Sequence, residues 1–346
     1  MKAQEHASLK SLNSFGVSAT AGLLLTIETE EDVLSLPVFN PRKDLVLGGG
    51  SNILFVNDVP GTVYLNRITG RNIVKEHDGC AQIEVGAGEN WHQLVCWTLD
   101  QGLHGLENLS LIPGLAGAAP IQNIGAYGVE LSSVLETVTA WDWKNSAWVI
   151  LNKGECRFGY RDSLFKSTKT HRYLITSIRL RLSRQFEPQL DYAALRDALS
   201  TTGVDQANAK QVSDTVIRIR QQKLPDPAIN GNAGSFFKNP VISMDKAETL
   251  RMRFPNLPTW PAGTTQAKLP AAWMIEHCGW KGFQENGAAV SSQHALVLIN
   301  QSQASGRHIL DLSAKIAHSV EQEFGVILDI EPKIYRGSDL EIDSFD

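Results

Sequence analysis

Through the first half of the chain, apolar residues gather in short runs rather than long stripes. Leu45–Leu47, Ile53–Val56, Thr62–Leu65 and Gln82–Val85 are each brief and bounded by glycine or small polar residues. That pattern predicts short β-strands. A helical spacing then begins at Asn90: Trp91, Leu94, Val95, Thr98 and Leu99 share one face, with Asn90 as N-cap and Gly102 as stop. Strand patterns return over Val134–Trp143, Trp148–Leu151 and Tyr173–Leu182. The character changes near Leu190. Charged helical segments follow at Tyr192–Leu199 and Val212–Gln222, the second ended by Pro225 and Pro227. Pro270 suits the first turn of a helix over Ala271–Cys278. Ala295–Ile299 reads as a strand, Leu312, Ile316, Ala317 and Val320 as a helix face, and Val326–Ile330 as a last strand. Glu331 falls at the end of that strand, held extended by Pro332. A soft domain boundary is expected near residue 210.

Composition narrows the class. A chain of 346 residues has room for two or three domains, and 42% hydrophobic residues supply their cores. Collagen-like, disordered and disulfide-scaffold classes are excluded. The net charge of −5 argues against a nucleic-acid partner, because phosphates need a basic field. Cys80, Cys96, Cys156 and Cys278 form no CxxC pair and read as reduced, mostly packed thiols of a cytosolic protein. No metal site is expected: the histidines are scattered, and adjacent His277 and Cys278 diverge on a helix. The N-terminus lacks the apolar core of a signal peptide, and runs such as Leu23–Leu25 are too short to cross a bilayer. Asp339–Asp346 is expected to be a frayed tail.

Two glycine-rich segments carry candidate chemistry, Gly48–Asn52 (GGGSN) and Pro113–Gly128 (PGLAGAAPIQNIGAYG). Glycines let a backbone approach a ligand closely and converge its N–H groups on an anion, as a pyrophosphate requires. Each loop read singly reads first as a tight turn. The standard nucleotide fingerprints fail: Gly86-Ala87-Gly88-Glu89-Asn90-Trp91 has Trp where GxGxxG needs its third glycine, and no P-loop or GxSxG elbow occurs. Reactive residues cluster in three further segments, around Arg161 in GYRDS, Ser235 in NGNAGSFFKNP and Glu331 in LDIEP. An arginine can stabilise a developing oxyanion, a serine on a glycine turn can move a proton, and a glutamate can orient a partner. Singly, each also reads as an ordinary surface or turn residue.

Taken in order, GGGSN, IPGLAGAAPIQNIGAYGVE, CRFGYRDSLFK, NGNAGSFFKNP, AAWMIEHCGWKG, HALVLIN and LDIEPK resemble the UDP-N-acetylenolpyruvoylglucosamine reductase family from about Leu45 to Tyr335. The segment with Asp191 and Tyr192 resembles its longer type I form. The resemblance implies an α+β fold: a vanillyl-alcohol-oxidase/PCMH-type FAD-binding domain of two α+β subdomains, plus a C-terminal α/β substrate-binding domain. It implies an FAD-binding region over 1–210, split into 1–66 and 67–210 and rejoined by 332–346, and a substrate domain over 211–331. It implies NADPH-dependent, FAD-mediated reduction of an enolpyruvyl ether on UDP-N-acetylglucosamine to UDP-N-acetylmuramate, a cytoplasmic step of peptidoglycan precursor synthesis. A cofactor must carry the hydride, because no side chain can.

Residue by residue, Arg161 matches the arginine that stabilises the enolate, Glu331 the glutamate assisting it, and Ser235 the serine that protonates C2. FAD positions carried over are Gly48, Gly49, Gly50, Ser51, Asn52, Ile112, Pro113, Gly114, Gly117, Gln122, Asn123, Gly125, Tyr127, Arg220 and Leu224. Substrate positions are Tyr192, Lys223 and Asn239, with His294 standing where many type I members carry Gln. Gly117-Ala118-Ala119-Pro120 lacks the serine hydroxyls of some members, which leaves more of the phosphate binding to backbone amides. The expected partners are the UDP-sugar and NADPH, with no nucleic acid, no membrane insertion and a monomeric chain. Two other readings remain: another flavoenzyme on the same fold, or a binding module that has lost catalysis.

Overall fold

A computed structural model describes residues 1–168, 171–200 and 207–337. The tail expected at Asp339–Asp346 lies outside the described residues. The first lobe holds β1 (Lys2–Ser8), β2 (Thr20–Ile27), β3 (Leu45–Leu47), β4 (Ile53–Phe55) and β5 (Val59–Asn66), with the short helix α1 (Glu30–Leu34) after β2. Four of these strands form a sheet in the order β1-β2-β5-β3. Helix α1 begins in a capping box, in which Thr29 accepts from Asp32 and the Asp32 carboxylate reaches back to the Thr29 amide.

The second lobe is built on β6 (Arg71–His77), β7 (Cys80–Gly86), β10 (Leu135–Asp142), β11 (Ala147–Asn152) and β12 (Tyr173–Ser183), an antiparallel sheet in the order β11-β10-β12-β7-β6. Helix α2 (Trp91–Asp100) packs on it through the predicted face, burying Trp91, Leu94, Val95 and Thr98. Asn90 caps α2 by accepting the Gln93 amide, and Gly102 takes the left-handed conformation just past its end. A small hairpin of β8 (Gly125–Ala126) and β9 (Val129–Glu130) rises from this lobe.

Helices α3 (Ala193–Ser200) and α4 (Ala209–Lys223) pack together around Leu195, Leu199, Val212, Val216 and Ile219, against Tyr127 and Phe186 of the second lobe. The boundary expected near 210 therefore meets the start of a helix that packs with α3, and the packing border falls after Lys223. Beyond it come β13 (Val241–Ser243), α5 (Met244–Arg253), β14 (Trp260–Pro261), β15 (Gln266–Lys268), α6 (Ala271–His277), β16 (Gln284–Glu285), β17 (Ala288–Val290), β18 (Leu298–Asn300), α7 (Gly306–Phe324) and β19 (Lys333–Tyr335).

The chain then returns: β19 runs parallel to β4, with Ile334 opposite Leu54. The core does not respect the lobes. One continuous cluster joins Leu9, Phe15, Leu47 and Phe55 of the first lobe to Phe236, Met274, Ile316 and Leu328 of the last third.

Two strand expectations need correction. Val326–Ile330 alternates inward and outward as a strand does, with Val326 and Leu328 buried and Ile327 exposed, but among the described residues it pairs only through an isolated Phe237–Ile330 bridge. Its neighbour is the loop around Phe236, not a sheet. Ala295–Ile299 is buried throughout, yet the strand starts only at Leu298, because His294–Val297 closes a turn. Of the cysteines, only Cys156 is fully buried, and Cys96 is exposed.

Candidate active site

Both glycine loops face one cavity of about 1290 Å³ that reaches from the first sheet to the last third of the chain. That is larger than the ~300–1,000 Å³ of pockets for drug-sized ligands and suits a dinucleotide. Gly48, Gly49, Gly50, Ser51 and Asn52 form one wall, and Ile112, Pro113, Gly117, Gln122 and Gly125 another; Arg220 and Leu224 close the side. Both loops are packed too closely to admit side chains at Gly49 and Gly117. A Cβ on Gly49 would stand 3.1 Å from the Gly114 Cα, and one on Gly117 would stand 2.4 Å from the Ala87 Cβ. Asn52 donates to Gln122 across the gap at 2.6 Å. The walls are thus glycine backbone and small residues, the surface a flat ring system and a diphosphate need; the residues present fit FAD.

Arg161, Ser235 and Glu331, 170 residues apart at the extremes (331 − 161), line this same cavity. Arg161 Nε lies 3.1 Å from Glu331 Oε1, and its Nη2 donates to the Gly125 carbonyl at 2.8 Å. Arg161 sits in a tight turn closed by Gly159 and Asp162, with φ +55. A left-handed arginine is disfavoured by roughly 1–2 kcal/mol, so its surroundings must hold it there. Ser235 follows Gly234, whose φ is +72, and pairs with Val297. The Glu331 amide donates to the Phe236 carbonyl, one residue from Ser235, so backbone pairing brings serine and glutamate side by side.

Burial pushes the Glu331 carboxyl up, opposed by Arg161, Lys166 and Lys238. The same burial, with repulsion from Lys238, pushes the Lys166 ammonium down. The centre is therefore a carboxylate ringed by cations, tuned for an anionic ligand.

Not every carried-over residue lines the cavity. Gly114 is not on the wall; its φ is +111, and a Cβ there would stand 2.6 Å from Ser51 Oγ, so the turn requires glycine. Asn123 is buried and fully occupied: it donates to Glu130 and to the Gly159 carbonyl and accepts the Ser132 amide, tying the loop to the GYRDS turn. Tyr127 faces Tyr192 edge-on, ring centroids 5.3 Å apart. The four substrate positions lie away from the cavity wall. Tyr192 is 47% exposed ahead of α3, and Lys223 ends α4 at the surface. Asn239 accepts the Ala271 amide at 3.0 Å, serving as the cap that Pro270 does not give α6. His294 accepts the Leu296 amide, and burial with nearby Lys223 pushes its ring down.

Several cavity residues went unread in the sequence. Lys166 and Lys333 lie inside or just after motifs already singled out, and Lys333 shares a face with Glu331 by the two-residue period of extended chain. Lys333 Nζ approaches His171 Nε2 at 3.1 Å; burial pushes the lysine down to about 8, and burial with the lysine's charge pushes the histidine to about 3. His171 and His92, also on the wall, had no sequence signal. Gly86 and Gly88, the failed GxGxxG, let the backbone cross Arg67–Thr69: a Cβ at either would collide with that chain.

An FAD binding domain model matches residues 23–150, and the model of the UDP-N-acetylenolpyruvoylglucosamine reductase C-terminal domain matches 226–335. UDP-N-acetylenolpyruvoylglucosamine reductase of Xanthomonas oryzae pv. oryzae (strain KACC10331 / KXO85) is 47% identical over 338 residues, covering 95% of this chain and 98% of that protein. The enzyme of Xanthomonas campestris pv. campestris (strain 8004) is 47% identical over 334 residues and covers 95% of each chain. The crystal structure of the reductase from Thermus caldophilus shares the fold, with a TM-score of 0.67 at 24% identity over 96% of this chain and 98% of that one. An FAD binding domain, a reductase C-terminal domain and near-complete coverage by these relatives together place the chain in the UDP-N-acetylenolpyruvoylglucosamine reductase family.

Proposed function

We propose that Arg161, Ser235 and Glu331 carry out the family's reaction at one wall of the cavity. That reaction is the NADPH-dependent reduction of the enolpyruvyl ether of UDP-N-acetylglucosamine to UDP-N-acetylmuramate. FAD, when bound, supplies the two-electron chemistry that no side chain can. It would be held by the backbone of Gly48–Asn52 and of Ile112–Gly125, with Arg220 and Leu224 at its side. The Arg161 guanidinium lines the cavity and stabilises the charge that builds on the substrate carboxylate as C2 becomes enolate-like. Glu331, paired with Arg161 Nε, fixes the plane of that guanidinium. Ser235 gives its hydroxyl proton to C2. A hydroxyl is a weak acid, but the acceptor is carbanion-like, so placement outweighs acidity.

Tyr192, Lys223, Asn239 and His294 form the outer, nucleotide-facing part of the substrate path. Tyr192 supplies a flat face and Lys223 a cation for the diphosphate. Asn239 caps α6 through its oxygen and shares its side chain with Tyr160; we assign it to the sugar. The substrates are water-borne nucleotides and the chain carries −5, which favours a cytoplasmic monomer without nucleic-acid partners. We assign 1–66 and 67–223 to FAD and the segment beyond to substrate, with 332–337 rejoining the first lobe.

The contact that carries this reading is the Arg161–Glu331 pair, built beside Ser235 and open to a dinucleotide-sized cavity. Anaerobic spectroscopy tests it. The purified protein should be yellow, bleach on NADPH and regain colour on the enolpyruvyl substrate. A colourless protein, or one whose oxidised flavin alcohols or sugars bleach as readily as NADPH does, overturns it.

A further inference from the structure

We propose that His92 is a positioning residue for the flavin-facing loop: its imidazole and the Arg220 guanidinium clamp Leu111 in the left-handed turn that aims Ile112 and Pro113 at the cavity. Leu111 has φ +58, a conformation that a leucine avoids unless its neighbours impose it. Both of its backbone polar groups are held by side chains. His92 Nδ1 accepts the Leu111 N–H at 3.1 Å, and Arg220 Nε donates to the Leu111 carbonyl at 3.2 Å. His92 comes from α2 and Arg220 from α4, so the turn is pinned between two helices, and all three residues line the cavity.

The flanks are pinned as well. Trp91 Nε1 donates to the Leu109 carbonyl, Ser110 Oγ meets Ser213 Oγ at 2.7 Å, and the Trp91 amide donates to the Gly114 carbonyl. Leu111 is thus the point where the loop changes direction. An accepting Nδ1 requires the ring to carry its proton on Nε2 only; a protonated ring would set N–H against N–H. Burial and the charge of Arg220 both push His92 down and keep that form. The imidazole is used here as an acceptor of fixed direction, not as an acid or base.

This rests on the placement of FAD against Ile112 and Pro113 proposed above. The test titrates FAD-stripped protein with FAD and follows the quenching of flavin fluorescence. Asn at position 92 can put its Oδ1 close to the Nδ1 site, whereas Gln carries its polar atoms one bond too far. His92→Leu and His92→Gln should weaken FAD binding about three- to tenfold, the loss of one hydrogen bond and its geometry, and His92→Asn should recover most of it. Ala118→Trp, which puts an indole between the two glycine loops, is the control for placement and should abolish binding. Unchanged FAD binding in Ala118→Trp overturns the placement. Lost binding there, with His92→Gln equal to the parent or His92→Asn no better than His92→Gln, overturns the clamp alone. Should the Leu variant fail to fold, the Asn and Gln pair decides the matter.

Discussion

Ser235 and Lys333 face the same cavity with opposite demands on their surroundings. Ser235 needs only to be in place. Ser235→Ala should leave flavin reduction by NADPH intact and slow reoxidation by the enolpyruvyl substrate about 10²–10⁴-fold, the usual yield of a positioned proton donor. Stopped-flow absorbance of the two half-reactions separates these, and normal reoxidation would remove Ser235 from its role. Lys333, in contrast, bears an ammonium that folding buries. Its folded value of about 8 lies below the ordinary 10.5, so the folded state binds this proton less tightly than the unfolded state does. Stability then rises with pH between about 8 and 10.5 and falls as the pH drops through 8. Lys333→Met should therefore raise the unfolding midpoint of FAD-free protein at pH 7, and the advantage should shrink toward pH 10.5. An advantage that stayed constant across that range would contradict a buried, titrating ammonium.

Helix α7 shows how an element was legible while its docking was not. The spacing of Leu312, Ile316 and Val320 marks the helix, and all three are buried. Its start is a capping box between Ser305 and His308, and its end is left-handed Gly325. Nothing in the sequence said that its first turn presses on β4. A Cβ on Gly306 would fall 1.8 Å from the Phe55 carbonyl oxygen, and neither backbone can yield cheaply. Gly306→Ala should destabilise the protein by about 1–3 kcal/mol or more in chemical denaturation, although alanine is the better helix former. Equal or higher stability would mean that the contact is slack. The loop pairing Phe237 with Ile330 makes the same point: alternation in Val326–Ile330 reports two-sided burial, and the backbone found a loop rather than a sheet as its partner.

At the scale of the whole molecule, the first lobe and the last third share one hydrophobic core. Their shared core joins Phe15 to Phe236, ring centroids 6.2 Å apart, and Phe55 to Tyr335 of the returning strand, 5.9 Å apart. A fragment cut after residue 224 would leave Leu9, Phe15, Leu47 and Phe55 without their covering side chains. It should fail to give protected amides in β2 and β5 by hydrogen exchange. Native-like protection in that fragment would show that the first lobe folds alone. This architecture also serves the site. Arg161 comes from the second lobe, whereas Ser235 and Glu331 come from the segment fused to the first, so the cavity wall is assembled only when the lobes stand in their native relation.

The sequence by itself determined what is local. Short apolar runs marked most of the strands, Asn90 and Gly102 the limits of α2, and rare glycine, arginine and serine motifs the candidate reacting groups and the family, because capping, periodicity and motif spacing act within a few residues. The tertiary structure decided what depends on distant chain. It set the pairing of Arg161 with Glu331, the cations around that carboxylate, the removal of Asn123 from the cavity wall, and the histidine behind Leu111. Those outcomes follow from which backbones meet and which charges are buried together, and no periodicity in one segment encodes the position of another.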